Sequence, residues 1–414
     1  MTNISGYCDN KFSEVEGVFR RNFQDGWEYE GAAFSVYHKG KCVVDLHGGY
    51  ADFSSLAKWT EKTKTVVFSV TKSVGALCIA LLVDKGYVKY EDKVTSFWPE
   101  FAQNGKEDTT VENIMNHQAG LPVFDEDLTL EDAKNPDRMA EIIEKSTPLW
   151  KPGSKSGYHA LTYGWLIDQI VRKVDPKKRT IGQFFKEEIA QKHNIDLYIG
   201  LPKEEEYTVA RLAQQSFGYF IKELLYSPKI LLAIIMMVLR SKFIGGYPQV
   251  FSYPKFILVK GHNTINNPEI HFLEQAAVYG ITNARALAKL FALVLKGEII
   301  SKELVERFYN PLIIGNDAVI NFPFAKGYGF MYEPHPKKPG KWLFGHPGNG
   351  GSNIMVDPEE EIVIAYVTNG MKSGMGEMCR TYRLLRNATF DSLHKFPKEN
   401  VPESLTDAIA PMLD

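Results

Sequence analysis

The sequence predicts an α+β fold in which one antiparallel sheet is assembled from both ends of the chain and helices fill the middle. Three observations predict it. Near the N-terminus, "AAFSVYHKGKCVVDLHGGYAD" reads as two β-rich runs joined at Lys39-Gly40-Lys41. From Ser69 to about Leu295 the apolar spacing is mostly helical, punctuated by Pro and Gly. Towards the C-terminus, strands return in "GYGFMYE", "KWLFGH", "GSNIMVD" and "EIVIAYVTN". Each part leaves an apolar face that only the other can cover, so the strands of the two ends must pair across the helical stretch.

In order along the chain, a helical pattern covers Asn10 to Phe23 and precedes the first hairpin. A long apolar stripe follows Ser69 in "VVFSVTKSVGALCIALLVDKGYV". The run Ile230 to Leu239 in "SPKILLAIIMMVLRSKF" is shorter than the roughly 20 residues a membrane span needs. It reads as a buried helix, or as a lid or surface helix in contact with lipid. Pro347, which cannot donate to a ladder, points to an edge strand. A last helix runs through "GEMCRTYRLLRNATFDSLHKF". The division expected is a sheet part from 1–68 and 280–395, and an inserted, mostly α-helical part from 69–279. Within the insert, 204–270 is a candidate lid, and 396–414 forms a C-terminal tail. A site should fall in the groove between sheet and helices.

Composition narrows the function classes. The chain has 414 residues, 44% of them hydrophobic and 24% charged, with a net charge of -2. Nothing in that balance calls for nucleic acid or an anionic membrane as partner. The four cysteines, Cys8, Cys42, Cys78 and Cys379, are far apart, with neither CxxC nor zinc-site spacing. The N-terminus carries Asp9, Glu14 and Glu16 and no apolar signal-peptide core, which gives the expectation of a cytoplasmic address.

Three short motifs can carry chemistry. Ser69 before an apolar run fits an N-cap, and Lys72 alone fits a solvated first-turn residue. Residues three apart share a helical face, however, and a cation at a helix N-terminus opposes the macrodipole. Burial there would lower the lysine's pKa and offer a neutral amine as base to Ser69. Tyr158, in "WKPGSKSGYHALTYGWLIDQIVRKV", stands where a loop meets a helix. It can simply pack, or place a phenol beside Ser69. In "FGHPGNGGS", His346 ends a strand, and Gly348, Gly350 and Gly351 let backbone approach a ligand closely. The amides of Asn349 and Ser69 could then hold an oxyanion. The other reading is a glycine-rich hairpin with an incidental histidine. His117 and His159 read as structural or wall residues. HExxH and GxSxG are absent, so metal catalysis and the α/β-hydrolase route have no support in the sequence.

The order SxxK, then Tyr158, then His-x-Gly resembles the serine beta-lactamase and penicillin-binding-protein superfamily, in particular its class C beta-lactamase-like esterase branch. "TTVENIMNHQAGLP" and "GITNARALAKLFALV" are similar to that branch as well. The resemblance spans about residues 10 to 390 and implies the beta-lactamase/transpeptidase-like fold. It implies Ser69 as acylated nucleophile, Lys72 as its proton acceptor and Tyr158 as proton relay. His346 and Gly348 take the places of the family's Lys and Gly in Lys-Thr-Gly, and the Ser69 and Asn349 amides form the oxyanion hole. No metal and no cofactor are implied.

Departures bear on the substrate. Ala160 stands where family lactamases carry the Asn of Tyr-x-Asn, and His346-Pro347 replace a lysine and a threonine. A fixed charge and a hydroxyl suited to a carboxylate are thereby lost. The expectation is a serine hydrolase acting on a neutral ester or lipid ester, with lipid contact through Ile230–Leu239 and room for a homo-oligomer. The rival readings are a beta-lactamase or D-Ala peptidase, and an inactive self-associating scaffold of the same fold.

Overall fold

The computed structural model describes residues 3–394 apart from 228–229, 233–234, 236–238, 240–246, 248–252 and 260–261. The expected 396–414 tail lies outside the described residues, as do parts of the 204–270 stretch.

The N-terminal strands β1 (Ile4–Cys8), β2 (Gly31–His38) and β3 (Lys41–Asp52) join six C-terminal ones. These are β10 (Ile313–Asn316), β11 (Pro323–Gly327), β12 (Phe330–Pro334), β13 (Trp342–Pro347), β14 (Asn353–Asp357) and β15 (Ile362–Thr368). The order is β1-β3-β2-β15-β14-β13-β12-β11-β10, antiparallel throughout, with the two-residue β4 (Ala57–Lys58) paired to β3. The β2–β3 turn places Lys39 at φ 48° and Gly40 at φ 73°, the left-handed pair whose twist matches its flanking strands. The seam between the two ends is β15 against β2.

β15 reads "IVIAYVT" and is buried at every position because both faces of the sheet are covered. Ile364 and Tyr366 pack against Phe19 of α1 (Ser13–Gln24) and Leu385 and Phe390 of the last helix, Arg380–His394. Val363, Ala365 and Val367 face the larger core, which includes α2 (Val70–Asp84), α3 (Thr162–Val174) and the helix Ala284–Lys296. α2 is buried from Val70 to Leu82, which explains why its sequence is apolar all round.

Several elements depart from the sequence expectation. β1 and β10 were not legible, since their exposed positions carry no apolar alternation and backbone pairing holds them. "GYGFMYE" is not one strand, because Tyr328 and Gly329, at φ 54° and 89°, turn the chain between β11 and β12. A small sheet of β5 (Thr65–Val66), β9 (Gly280–Thr282) and β6 (Leu197–Ile199) joins the helical stretch to its flanks. The edge-strand expectation for Pro347 is overturned, as β13 lies between β12 and β14. Proline is tolerated there because β12 pairs with β13 only as far as Met331↔Gly345.

In the 204–270 stretch, α4 (Phe217–Tyr226) buries Tyr219 and Glu223 and exposes Phe217 and Leu225. Of the run Ile230–Leu239, Ile230 is buried while Leu231, Leu232, Ile235 and Leu239 are exposed. Among the described residues no helix is long and apolar enough to cross a membrane.

Candidate active site

Backbone geometry sets the approach to Ser69. The Val67 amide donates to the Gly280 carbonyl at 2.9 Å, and Phe68 then takes φ 49°. This left-handed conformation costs a side-chain-bearing residue about 1–2 kcal/mol, and the buried Phe68 ring holds the chain in it. Ser69 arrives at the N-cap position of α2 with φ -64° and ψ -10° and makes no side-chain capping hydrogen bond. The capping reading of its side chain is thereby corrected, and the hydroxyl is left to other partners.

Lys72, one turn on, is fully buried. Its Nζ lies 3.3 Å from Ser69 Oγ, 2.7 Å from the Ala160 carbonyl and 3.0 Å from the Ala277 carbonyl. Desolvation by burial holds this amine well below the usual lysine range, with no carboxylate opposing it among the described residues. A neutral amine has two hydrogens and one lone pair. In that form the two carbonyls would take the hydrogens, and the lone pair would face Ser69. Tyr158 Oη lies 2.7 Å from Ser69 Oγ and donates to it. Lys72 Nζ and the Tyr158 hydroxyl thus both stand within hydrogen-bond reach of Ser69 Oγ. Burial raises the Tyr158 phenol above its ordinary range, so it keeps its proton.

The loop bearing Tyr158 is anchored by groups that the sequence did not single out. The Tyr158 amide donates to Asp317 Oδ1 at 3.0 Å. The same oxygen accepts the Val319 and Ile320 amides at 2.9 and 2.8 Å, and Asp317 Oδ2 meets Lys326 Nζ at 2.6 Å. Asp317 and Lys326 are both buried. "GNDAVINF" carries no motif that announces this role, and the partners stand 159 residues apart. The His117 ring lies 5.0 Å from the Tyr158 ring and tilted 54° to it, and its Nδ1 accepts the His159 amide. His159 in turn donates from Nδ1 to the Gly157 carbonyl and accepts the Leu121 amide at Nε2. Both rings are wall pieces, held neutral by burial, His159 down to about 4.

The third motif closes over the serine. A Cβ on Gly348 would stand 2.5 Å from the Val67 carbonyl oxygen, so glycine alone lets β13 close on the segment leading to Ser69. Asn349 is exposed and opens the turn Asn349–Gly351. No hydrogen bond from the Ser69 or Asn349 backbone amide is present among the described residues. His346 is buried, its ring 6.1 Å from that of Tyr158. Its Nδ1–H donates to the Pro347 carbonyl at 2.7 Å, and its Nε2 has no partner among the described residues. Burial holds the ring down to about 3, so it is neutral and supplies no cation for a carboxylate. Ala160, read from sequence as the loss of an amide side chain, instead serves Lys72 through its carbonyl.

Among the described residues, the one grouping with metal-ligand composition is His335, Asp357 and Glu360. His335 accepts the Lys337 and Lys338 amides at Nδ1 and meets Asp357 at Nε2, both at 3.0 Å. Its lone pair is spent on backbone, as in a structural histidine.

The Beta-lactamase family model matches residues 19–388. The Esterase/beta-lactamase LipL of Mycobacterium tuberculosis is 32% identical over 384 residues, covering 89% of this chain and 84% of that protein. A penicillin-binding-protein homologue from Caulobacter crescentus has a TM-score of 0.77 at 34% identity, covering 94% of this chain and all of the other (100%). A family VIII carboxylesterase has a TM-score of 0.81 at 27% identity, with the same coverage of 94% and 100%. A serine, a desolvated lysine and a tyrosine at the junction of sheet and helices thus sit on a fold shared with esterases and penicillin-binding proteins over nearly its whole length. The chain belongs to the Beta-lactamase family and is a serine hydrolase of its esterase-like kind.

Proposed function

We propose that the chain hydrolyses a neutral carboxylic ester through an acyl-enzyme on Ser69. Lys72 Nζ takes the Ser69 proton as Oγ attacks the ester carbonyl. The amides of Ser69 and Asn349 receive the oxyanion. The proton passes by way of Tyr158 to the departing alkoxide, which leaves as the alcohol. A water molecule then attacks the acyl carbon, gives its proton to the same lysine–tyrosine pair, and frees Ser69 and the carboxylic acid. The observation that carries this reading is the hydrogen-bonded set of Tyr158, Ser69 and an amine that has no carboxylate partner among the described residues. A neutral His346 favours esters over substrates that bring a carboxylate.

Labelling with a fluorophosphonate probe followed by peptide mapping is expected to find Ser69. Ser69→Ala should lower ester turnover by about a thousandfold or more. Esterase activity retained in that variant would end the proposal. Beside it, p-nitrophenyl esters should be turned over better than nitrocefin. The reverse order would show that His346 and Ala160 do not exclude a beta-lactam.

A further inference from the structure

Two short apolar stripes face outward on the flank beside the last helix. Helix α4 is pinned from one side. Tyr219 Oη donates to the Trp27 carbonyl at 2.8 Å, and Glu223 accepts the Ser373 amide at 2.9 Å. Lys222 lies over the Trp27 ring and donates to the Asp25 carbonyl at 2.8 Å. The opposite side carries Phe217, Ile221 and Leu225 at four-residue spacing, with Phe217 78% and Leu225 79% exposed. Leu231, Ile235 and Leu239 repeat that spacing, and they and Leu232 are exposed as well. The stripes share a flank. The Tyr226 ring stands 4.8 Å from the Arg380 guanidinium, and Leu232 lines a groove with Arg383 and the exposed Ile314. Large aliphatic side chains exposed in such a group mark a surface that meets a partner.

Charge selects the kind of partner. The stretch from Leu224 to Pro268 holds no Asp or Glu and five cations, Lys229, Arg240, Lys242, Lys255 and Lys260, in a chain whose net charge is -2. Of these, Lys255 meets Asp127 at 2.8 Å. Glu377 and Arg383, beside Leu232 in the groove, offset one another. A second copy of the chain would bring the same cations against these and repel them. An anionic bilayer suits both parts, with aliphatic side chains at its acyl boundary and cations among its phosphates. A helix such as α4, apolar on one side and pinned on the other, can lie in the plane of that boundary.

We propose that this flank docks the protein on the surface of an anionic membrane. The inference makes no use of the Ser69 chemistry. The 414-residue chain should pellet with vesicles of phosphatidylcholine containing about 30% phosphatidylserine, and about tenfold or more weakly with phosphatidylcholine alone. Raising salt from about 0.1 M to about 0.5 M should release it. Leu231→Glu with Ile235→Glu should weaken binding about tenfold or more. Arg240→Gln with Lys242→Gln should do the same, both variants keeping the circular dichroism of the wild type. Ser69→Ala should bind as the wild type does.

Failure to pellet with the mixed vesicles, equal pelleting with both kinds, or pelleting that Leu231→Glu with Ile235→Glu leaves unaltered would overturn the proposal. So would an oligomer in sedimentation velocity that the same double substitution dissolves, in a protein that binds no vesicle; this flank would then join copies of the chain. Salt-sensitive vesicle binding in a protein that turns over no ester would support the docking surface and sink only the esterase reading.

Discussion

Lys72 is held by two carbonyls and, among the described residues, by no carboxylate, so burial penalises its charged form and holds its pKa well below the usual lysine range. This makes pH a direct probe of the residue. The acid limb of kcat/KM should follow Lys72, with activity present above its folded pKa and lost as pH falls through it. No basic decline is expected until beyond the ordinary phenol range, because the Tyr158 pKa is raised. Lys72→Arg keeps the charge but cannot give up a proton. It should lose about a thousandfold in kcat at every pH while its circular dichroism is unchanged, and a variant that retained activity would show that Lys72 acts by charge alone. The spacing of Ser69 and Lys72 was legible as a shared helical face. The carbonyls of Ala160 and Ala277 were not, because the direction of a carbonyl depends on tertiary docking and leaves no trace in residue type.

At the scale of elements, two junctions hold the site. β13 meets the start of α2 through Gly348 and Val67. Gly348→Ala should push the Asn349 turn away from Ser69 and lower kcat by about 10²-fold or more, the cost of one oxyanion donor, with little change in KM. Kinetics on folded protein would check it. The Tyr158 loop meets the β10–β11 connection through Asp317. Asp317→Ala would leave Lys326 buried and unpaired and release three amides. A loss of about 3–5 kcal/mol is expected in urea denaturation, and Asp317→Asn should recover part of it. Central strands such as β15 announce themselves by unbroken apolar runs, and their pairing across the chain's two ends could be anticipated. β1, β10 and the small sheet could not, since two to five residues paired by backbone alone give periodicity nothing to act on. The Asp317–Lys326 pair was illegible for a related reason. Its members are unremarkable in sequence and acquire a role only when one loop is laid on another.

Over the whole molecule, buried histidines make stability depend on acid. His346 titrates at about 3 and His159 at about 4 in the folded chain, against 6.5 for a free ring. The unfolded chain therefore binds more protons between those values, and stability present above about pH 6.5 drains away as pH falls towards 4 and then 3. Thermal midpoints should drop through that window, and less steeply in His346→Asn. An equal slope in the variant would place the effect elsewhere. The two ends of the chain are also tied by a buried ion pair, Lys372 to Glu28 at 2.8 Å. The carbonyls that hold Lys72 come from segments 88 and 205 residues beyond it. One amine thus reports on whether three remote stretches of chain have docked. Water admitted at any of those contacts would relieve the burial that lowers its pKa, and on the proposed mechanism the serine would lose its base. Esterase activity should then vanish at lower urea than the circular dichroism of the sheet. In a newly made chain, chemistry would switch on only as the last piece of its wall arrives, so an unfinished fold is a harmless one.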